Sequence, residues 1–381
     1  MGSIEKIHTV AEHIIRAKNE GNHVVVVVSA MSGETNRLMA LATQVDNVPN
    51  ARELDVLLSA GEQVSMALLA MTLHKQGYAA CSLTGTQARI VTDNQHNEAT
   101  IKQIDVSVIN TLLEQDQIVV VAGFQGINER GAITTLGRGG SDTTAVTLAG
   151  VLDADECQIF TDVDGIYSCD PRVVKHAQKL ETIDFPSMEE MARKGAKVLH
   201  LPSVQFAWSH SVPLRVLSTF DTNAGSLVKG EVSSKAVCGL AIQRHQMALS
   251  LESKQVPSLL AQCRILGIET WCLIEQEERA NLVIQQDQYV KLSLVASEQI
   301  LQHEAVSQLT VVGNQAPDLV ESAYHLLEEQ GIAVRYHHCS QGSLTLVMLP
   351  ECIDKAANIL HDAYITLNDV LDFQQKQAFL G

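Results

Sequence analysis

The residues best suited to chemistry lie in the stretch Gln117–Pro171. An apolar run, Ile118–Ala122, leads through a Gly-containing loop to Gly137-Arg138-Gly139-Gly140-Ser141-Asp142, and a later run from Gln158 ends in Thr161 and Asp162. The three glycines remove side chains where backbone must pass close to a ligand, and N–H groups at a glycine-lined helix start form an anion site. Ser141 is the expected N-cap of the helix that follows, with Ala145, Leu148, Ala149 and Leu152 on one face. Phosphoryl transfer needs cationic and N–H groups around the moving phosphoryl, a carboxylate that organises metal or base chemistry, and an aligned acceptor. Arg138 can grip a carboxylate with two parallel bonds. Asp142 and Asp162 can organise a metal and a nucleotide, and Glu62 can accept hydrogen bonds from an ammonium group. A carboxylate placed like Glu62 is, on pattern alone, more often a residue of a solvated helix face.

The elements that must position these groups alternate between strand and helix through about residue 220, the pattern of a three-layer α/β/α domain. Residues 4–18 read as an amphipathic helix, Val24–Val28 as a buried strand, and 51–75 as a Leu/Ala/Met-rich helix carrying Glu62. Ser29 and Thr35 lie in the loop at the carboxyl end of the first strand, where open α/β sheets bind ligands. A helix is expected over 185–200, and 225–239 reads as an exit linker. Beyond Met247 a strand-helix-strand-strand-helix order appears and then recurs from Gln308, a tandem repeat of about 60 residues. Its apolar positions alternate like antiparallel sheets with helices on one face. No catalytic constellation appears in either repeat, which fits a regulatory or dimerising module.

Bulk properties narrow the class. The 381 residues are 46% hydrophobic and 19% charged, as in a folded chain of two or three domains. A formal charge of −17 argues against nucleic-acid or anionic-membrane partners, but a local Arg or Lys can still dominate one pocket. The 8 cysteines show no C-x-x-C pair, which speaks for a reducing compartment and a cytoplasmic location. No apolar run reaches membrane-spanning length. Neither a Walker A loop nor a G-x-G-x-x-G after a strand is present.

Together FQGINERGAITTLGRGGSDTTA, FTDVDGIYSCDPR and VVVVVSAMSGETNRL resemble the aspartate kinases of the amino-acid kinase superfamily, with PSMEEMARKGAKVLH and VPLRVLSTF continuing the match. The resemblance covers residues 2–240, and the tail resembles the paired ACT domains of the same enzymes. It implies an α/β fold: a three-layer amino-acid kinase domain over 1–235, then two α+β ACT-like (βαββα) domains at 245–304 and 305–381. It also implies transfer of the ATP γ-phosphoryl to the β-carboxylate of L-aspartate with Mg²⁺, the first step toward lysine, threonine and methionine. By motif, Arg138 resembles the aspartate-carboxylate clamp, with Ser141 beside it and Asp142 organising the transfer. Glu62 and Thr35 match substrate-binding positions. Ser29, Thr161, Asp162, Tyr167, Arg172, Lys197 and Val198 resemble the nucleotide site, while Lys194 and His200 read as surface or core residues. No residue is assigned as a metal ligand.

Family members begin with a strand and a K-F/Y-G-G-T/S-S loop whose Lys holds the transferring phosphates. This chain starts Met1–Gly2–Ser3–Ile4–Glu5 and matches only after that loop. The intact remaining motifs favour a mis-assigned or shortened start over a catalytically weak protein. Family effector loops resemble D-x-P-G, and Ser253–Ser258 and Gly313–Asp318 match it poorly, so lysine or threonine feedback rests on architecture. Asn314 and Gln315 can bind an amino-acid backbone or cap a helix. A homo-oligomer, dimer or larger, is expected. The alternatives are another amino-acid kinase, which Glu62, GRGGSD and the ACT-like tail argue against, and a non-catalytic amino-acid-binding regulatory subunit.

Overall fold

The computed structural model describes residues 2–196, 198–220, 224–232, 235–275 and 278–366. Two compact units emerge, one from Met1–Asp164 with His200–Lys229, the other from Gly165–Leu199 with the chain from Gly230 onward. The first unit contains α1 (Ile4–Asn19), β1 (Val25–Val28), α2 (Glu34–Val45), α3 (Ala51–Lys75), β2 (Ala80–Leu83), β3 (Ile90–Thr92) and β4 (Ile101–Ile104). It continues with α4 (Ser107–Glu114), β5 (Ile118–Ala122), β6 (Gln125–Asn128), β7 (Ile133–Thr135), α5 (Gly140–Val151) and β8 (Cys157–Thr161). Next, β9 (Thr182–Ile183) and α6 (Phe185–Arg193) belong to the second unit, and α7 (Leu201–Ser209), β10 (Leu214–Ser218) and β11 (Ser226–Val228) return to the first.

β5 is the axis of the first unit. Its five residues are all buried, and it pairs in parallel with β1 on one side and β2 on the other. An unbroken β-branched run suits a strand covered on both faces. One face packs Ile118 and Val120 against Ile7, Ala11, Leu69 and Leu73, and the other packs Val119 and Val121 against Ile90, Ile109, Leu113 and Leu148. These are the three layers. β1 is only half-buried over Val25–Val27, less enclosed than its four valines suggest. A separate group pairs β8 with β10 in parallel and β10 with β11 antiparallel, so a strand occupies part of the expected linker.

The helix expected at 51–75 is α3. α3 is long and apolar enough, by length and composition, to cross a membrane. Half of that stretch is buried within the protein, its Leu58, Leu69 and Leu73 belong to the core, and Asp55 and Glu62 are buried with them. It is the core helix of its unit.

The second unit continues with β12 (Gly239–Glu252), α8 (Val256–Ile265), β13 (Thr270–Glu275), β14 (Arg279–Gln285) and α9 (Gln286–Ala296). The order repeats as β15 (Ile300–Val312), α10 (Val320–Glu328), β16 (Tyr336–Ser340), β17 (Ser343–Met348) and α11 (Ile353–His361). The two repeats share one antiparallel sheet of order β13-β14-β12-β15-β17-β16. β12 starts at Gly239 rather than Ala248 because it pairs with β15 from Gly239↔Val312 to Leu251↔Ile300, with a register break between Gln243 and Gln246. α6 ends at Arg193, short of the expected His200, since Gly195 takes a left-handed φ of 104° that a helix cannot continue through.

Candidate active site

Because β1 and β5 run in parallel, Ser29–Ala30 and Gly123–Phe124 leave the sheet at the same carboxyl edge. Gly123 is required there: a Cβ would stand 2.9 Å from the Cβ and Oγ of Ser141 and from Cγ1 of Val27. The next residue, Phe124, adopts φ 67°, donates its N–H to Thr144 Oγ1 at 3.2 Å, and accepts the Leu136 N–H at 2.9 Å. Two bonds thus fasten the loop after β5 to α5 and to the turn before it.

That turn corrects the expected cap. The N-cap of α5 is Gly139 in the left-handed region (φ 71°) with no side-chain bond, and Ser141 is the second residue of the helix. A Cβ on Gly139 would lie 2.4 Å from the His200 ring, so glycine serves both the conformation and the close approach. Ser141 is thereby released from capping and faces Gly123, and its Oγ has no hydrogen-bond partner among the described residues.

Glu62 reaches the same edge from α3. A Cβ on Gly61 would stand 2.9 Å from the Ala30 Cβ, so the helix crosses the end of β1 closely. The Glu62 side chain is buried, not solvated: the residue is 4% exposed, Oε1 accepts the Ala30 N–H at 3.1 Å, and Oε2 is buried without a partner. Burial pushes its pKa up to about 7, against the opposing pull of backbone hydrogen bonds. A buried carboxylate oxygen with no donor is an open position for a cationic N–H group.

Asp142, on the first turn of α5, is raised above the usual carboxylate range by burial, partly offset by the His200 imidazole. His200 itself is the N-cap residue of α7, and its Nδ1 is buried without a partner. Arg138 is exposed in the turn and has no hydrogen-bond or ion-pair partner among the described residues. Ser29 and Thr35 are exposed, the first after β1 and the second in the first turn of α2. Thr161 donates to Asp162 Oδ1 at 3.1 Å, and its carbonyl accepts the Thr219 N–H at 3.2 Å at the end of the β8–β10 pair.

The structure therefore brings Glu62, Ser29 and Ser141 to the carboxyl ends of β1 and β5, with Asp142 next to Ser141 on α5 and Arg138 in the adjoining turn. Tyr167, Arg172 and Val198 belong to the second unit, where Arg172 forms a paired bond to Asp170 at 2.8 and 3.0 Å. Lys197 lies outside the described residues. Lys194 is buried, its Nζ 3.8 Å from Glu190.

Two supporting residues escaped the sequence reading. His200 packs on Gly139, and only its place just before the Pro-started α7 hinted at a fixed position. Asp55, fully buried on α3, accepts the Asn97 N–H at 3.1 Å and bonds His96 and Thr135 Oγ1. It fixes the loop against which Gly137 turns, where a Cβ would stand 3.1 Å from the Asn97 carbonyl. Its only signal was a carboxylate about two helical turns before Glu62 on an apolar segment. Among the described residues, no three His, Cys, Asp or Glu side chains are grouped to hold a metal ion.

Comparison with known proteins identifies the family. Residues 1–218 match the amino acid kinase family. An aspartate kinase of Pseudomonas putida is 39% identical over 391 aligned positions, covering 96% of this chain and 95% of its own. The solved structure of E. coli aspartokinase III in complex with aspartate and ADP (R-state) shares the fold, with a TM-score of 0.77 at 24% identity over 95% of this chain and 96% of its own. The same enzyme in complex with lysine and aspartate (T-state) gives a TM-score of 0.76 at 23% identity, covering 94% and 96%. The chain belongs to the amino acid kinase family and, within it, to the aspartate kinases.

Proposed function

We propose that this chain transfers the γ-phosphoryl group of ATP to the β-carboxylate of L-aspartate, giving 4-phospho-L-aspartate and ADP. The observation that carries the reading is the unpartnered, buried Oε2 of Glu62 at the same sheet edge as Ser141. The substrate ammonium fills that position, and Arg138 grips a substrate carboxylate in charge-assisted bonds. Thr35 and Ser141 complete the substrate set. A carboxylate oxygen of aspartate forms the new bond to the γ-phosphorus, and the bond from that phosphorus to the bridging oxygen of ADP breaks. Ser29, Thr161, Asp162, Tyr167, Arg172, Lys197 and Val198 hold the nucleotide in this reading.

Mg²⁺ suits the donor set. Magnesium at nucleotide sites takes one or two carboxylates plus phosphate oxygens rather than an all-protein cage, and the half-buried Asp142 is the carboxylate that would hold it. When bound, the ion neutralises charge on the phosphates.

In sequence, the kinase domain spans 1–235 and the ACT-like repeats follow at 245–304 and 305–381. A cytoplasmic homo-oligomer is part of the proposal, supported by the exposed Val290, Leu294 and Val295 on α9. So is feedback by lysine or threonine at the repeats. If millimolar lysine and threonine, singly and together, change neither activity nor melting temperature, feedback is excluded.

The activity itself is tested by aspartyl hydroxamate formation from L-aspartate, ATP, Mg²⁺ and hydroxylamine. Hydroxamate is expected with aspartate and not with glutamate. Binding of aspartate without any turnover would instead identify an amino-acid-binding regulatory subunit.

A further inference from the structure

The two candidate nucleotide residues of the second unit, Tyr167 and Arg172, lie on a loop that is pinned to the last helix of the second repeat. Ser168, next to Tyr167, is fully buried: its Oγ accepts the Gln178 N–H at 2.9 Å and meets Nε2 of His361 on α11 at 2.8 Å. Asn358, one turn earlier on α11, donates from Nδ2 to the Val173 carbonyl at 2.9 Å and accepts the Lys175 N–H on Oδ1 at 3.3 Å. One amide thus satisfies a donor and an acceptor of the backbone that follows Arg172. Between these points Cys169 and Val174 enter the same apolar core as Ala357 and Leu360. Farther along, His176 Nδ1 meets Asp362 Oδ1 at 2.8 Å.

We infer that Asn358 and His361 are positioning residues for nucleotide binding: they fix the backbone on either side of Tyr167 and Arg172 from within the repeat module. The inference rests on the assignment of those two residues to the nucleotide. Each lies one residue from an anchored point, so a shift of α11 displaces both together. Side chains on a loop with free backbone would have to be ordered by the nucleotide itself, at a cost in affinity. α11 removes that cost beforehand.

The test uses the full chain with Asn358→Ala, His361→Ala, His361→Gln and Arg172→Ala, and with Lys355→Ala as an exposed α11 control. The readouts are KM for ATP and for aspartate, kcat, the calorimetric Kd of ADP, and Tm. Loss of the two Asn358 bonds is expected to raise the ATP KM and ADP Kd about tenfold and to leave the aspartate KM unchanged. His361→Gln, which still reaches Ser168, should recover most of what His361→Ala loses, and Lys355→Ala should match the parent. If His361→Ala does not fold, Asn358→Ala, at a half-buried position, decides the matter. A fall in Tm or kcat with ADP Kd unchanged would overturn the inference, because a purely structural role moves only those. If Arg172→Ala weakens ATP and Asn358→Ala does not, positioning fails and the nucleotide assignment stands. If Arg172→Ala leaves ATP binding unchanged, the assignment fails and the inference falls with it.

Discussion

Replacing Glu62 by Gln tests the site through its electrostatics. Burial lifts this carboxyl from 4.5 to about 7, so between those values the folded chain holds a proton that the unfolded chain has released. Folded stability from this group is therefore greatest below about pH 4.5, falls as pH rises toward 7, and is level above it. At roughly 1.4 kcal/mol per pH unit, the ionised carboxylate costs the substrate-free protein about 3 kcal/mol at pH 8. Glu62→Gln removes that cost. Its amide can still accept the Ala30 N–H, and any penalty for burying its NH₂ is the same at every pH. The variant should therefore gain about 3 kcal/mol relative to the parent between pH 4 and pH 8, read by urea denaturation at both. Substrate follows the same proton. Since the ammonium pairs with the ionised form, the parent's aspartate KM should rise about tenfold per unit as pH falls below 7. The variant should bind aspartate poorly and show no such slope. A pH-dependent gain under about 1 kcal/mol would refute the argument, because Glu62 would then be hydrated in the folded state.

Three further substitutions probe the neighbouring groups. Arg138→Ala should raise the aspartate KM by about 10- to 100-fold, the worth of a charge-assisted pair, while ADP affinity measured by calorimetry stays the same; an unchanged aspartate KM removes Arg138 from the substrate site. Asp142→Asn should lower kcat by about 10²–10³-fold in a protein whose circular dichroism matches the parent. Gly139→Ala combines a φ of 71° with a Cβ 2.4 Å from His200, whereas Gly21→Ala has a φ of 91° and nothing within 4 Å. The second should cost only backbone strain, about 1 kcal/mol; the first should cost clearly more by denaturation and should also abolish turnover.

Local chemistry makes much of the molecule legible in its sequence. Five consecutive apolar residues at 118–122 give a strand with no solvent face, and the structure buries all of them. The repeated β-α-β-β-α order was readable because short apolar runs and apolar helix stripes recur in the same order, although β14 and β17 are buried on both faces instead of alternating. Pattern is silent where a residue's role depends on partners far along the chain. Serine before an apolar-periodic run is a good cap by composition, yet Gly139 takes the position because His200, about 60 residues away in sequence, leaves no room for a side chain. Periodicity placed Glu62 on α3 but not its depth, which is set by the Ala30 loop crossing at Gly61. Nor does pattern alone say that two repeats will pair β12 with β15 into one sheet.

The interruption of the first unit by residues 165–199 has a consequence for how the protein is made. Cys169 and Val174 leave the ribosome on the order of 180 residues ahead of Ala357 and Leu360, the core partners that cover them. At roughly 5–20 residues per second, that leaves an apolar segment uncovered for about 10–40 s during every round of synthesis. Fragments ending near 235 would keep it uncovered permanently, so attempts to express a stand-alone catalytic half should yield aggregating material. The nascent chain also carries, for that interval, a binding site for any chaperone that recognises short apolar stretches.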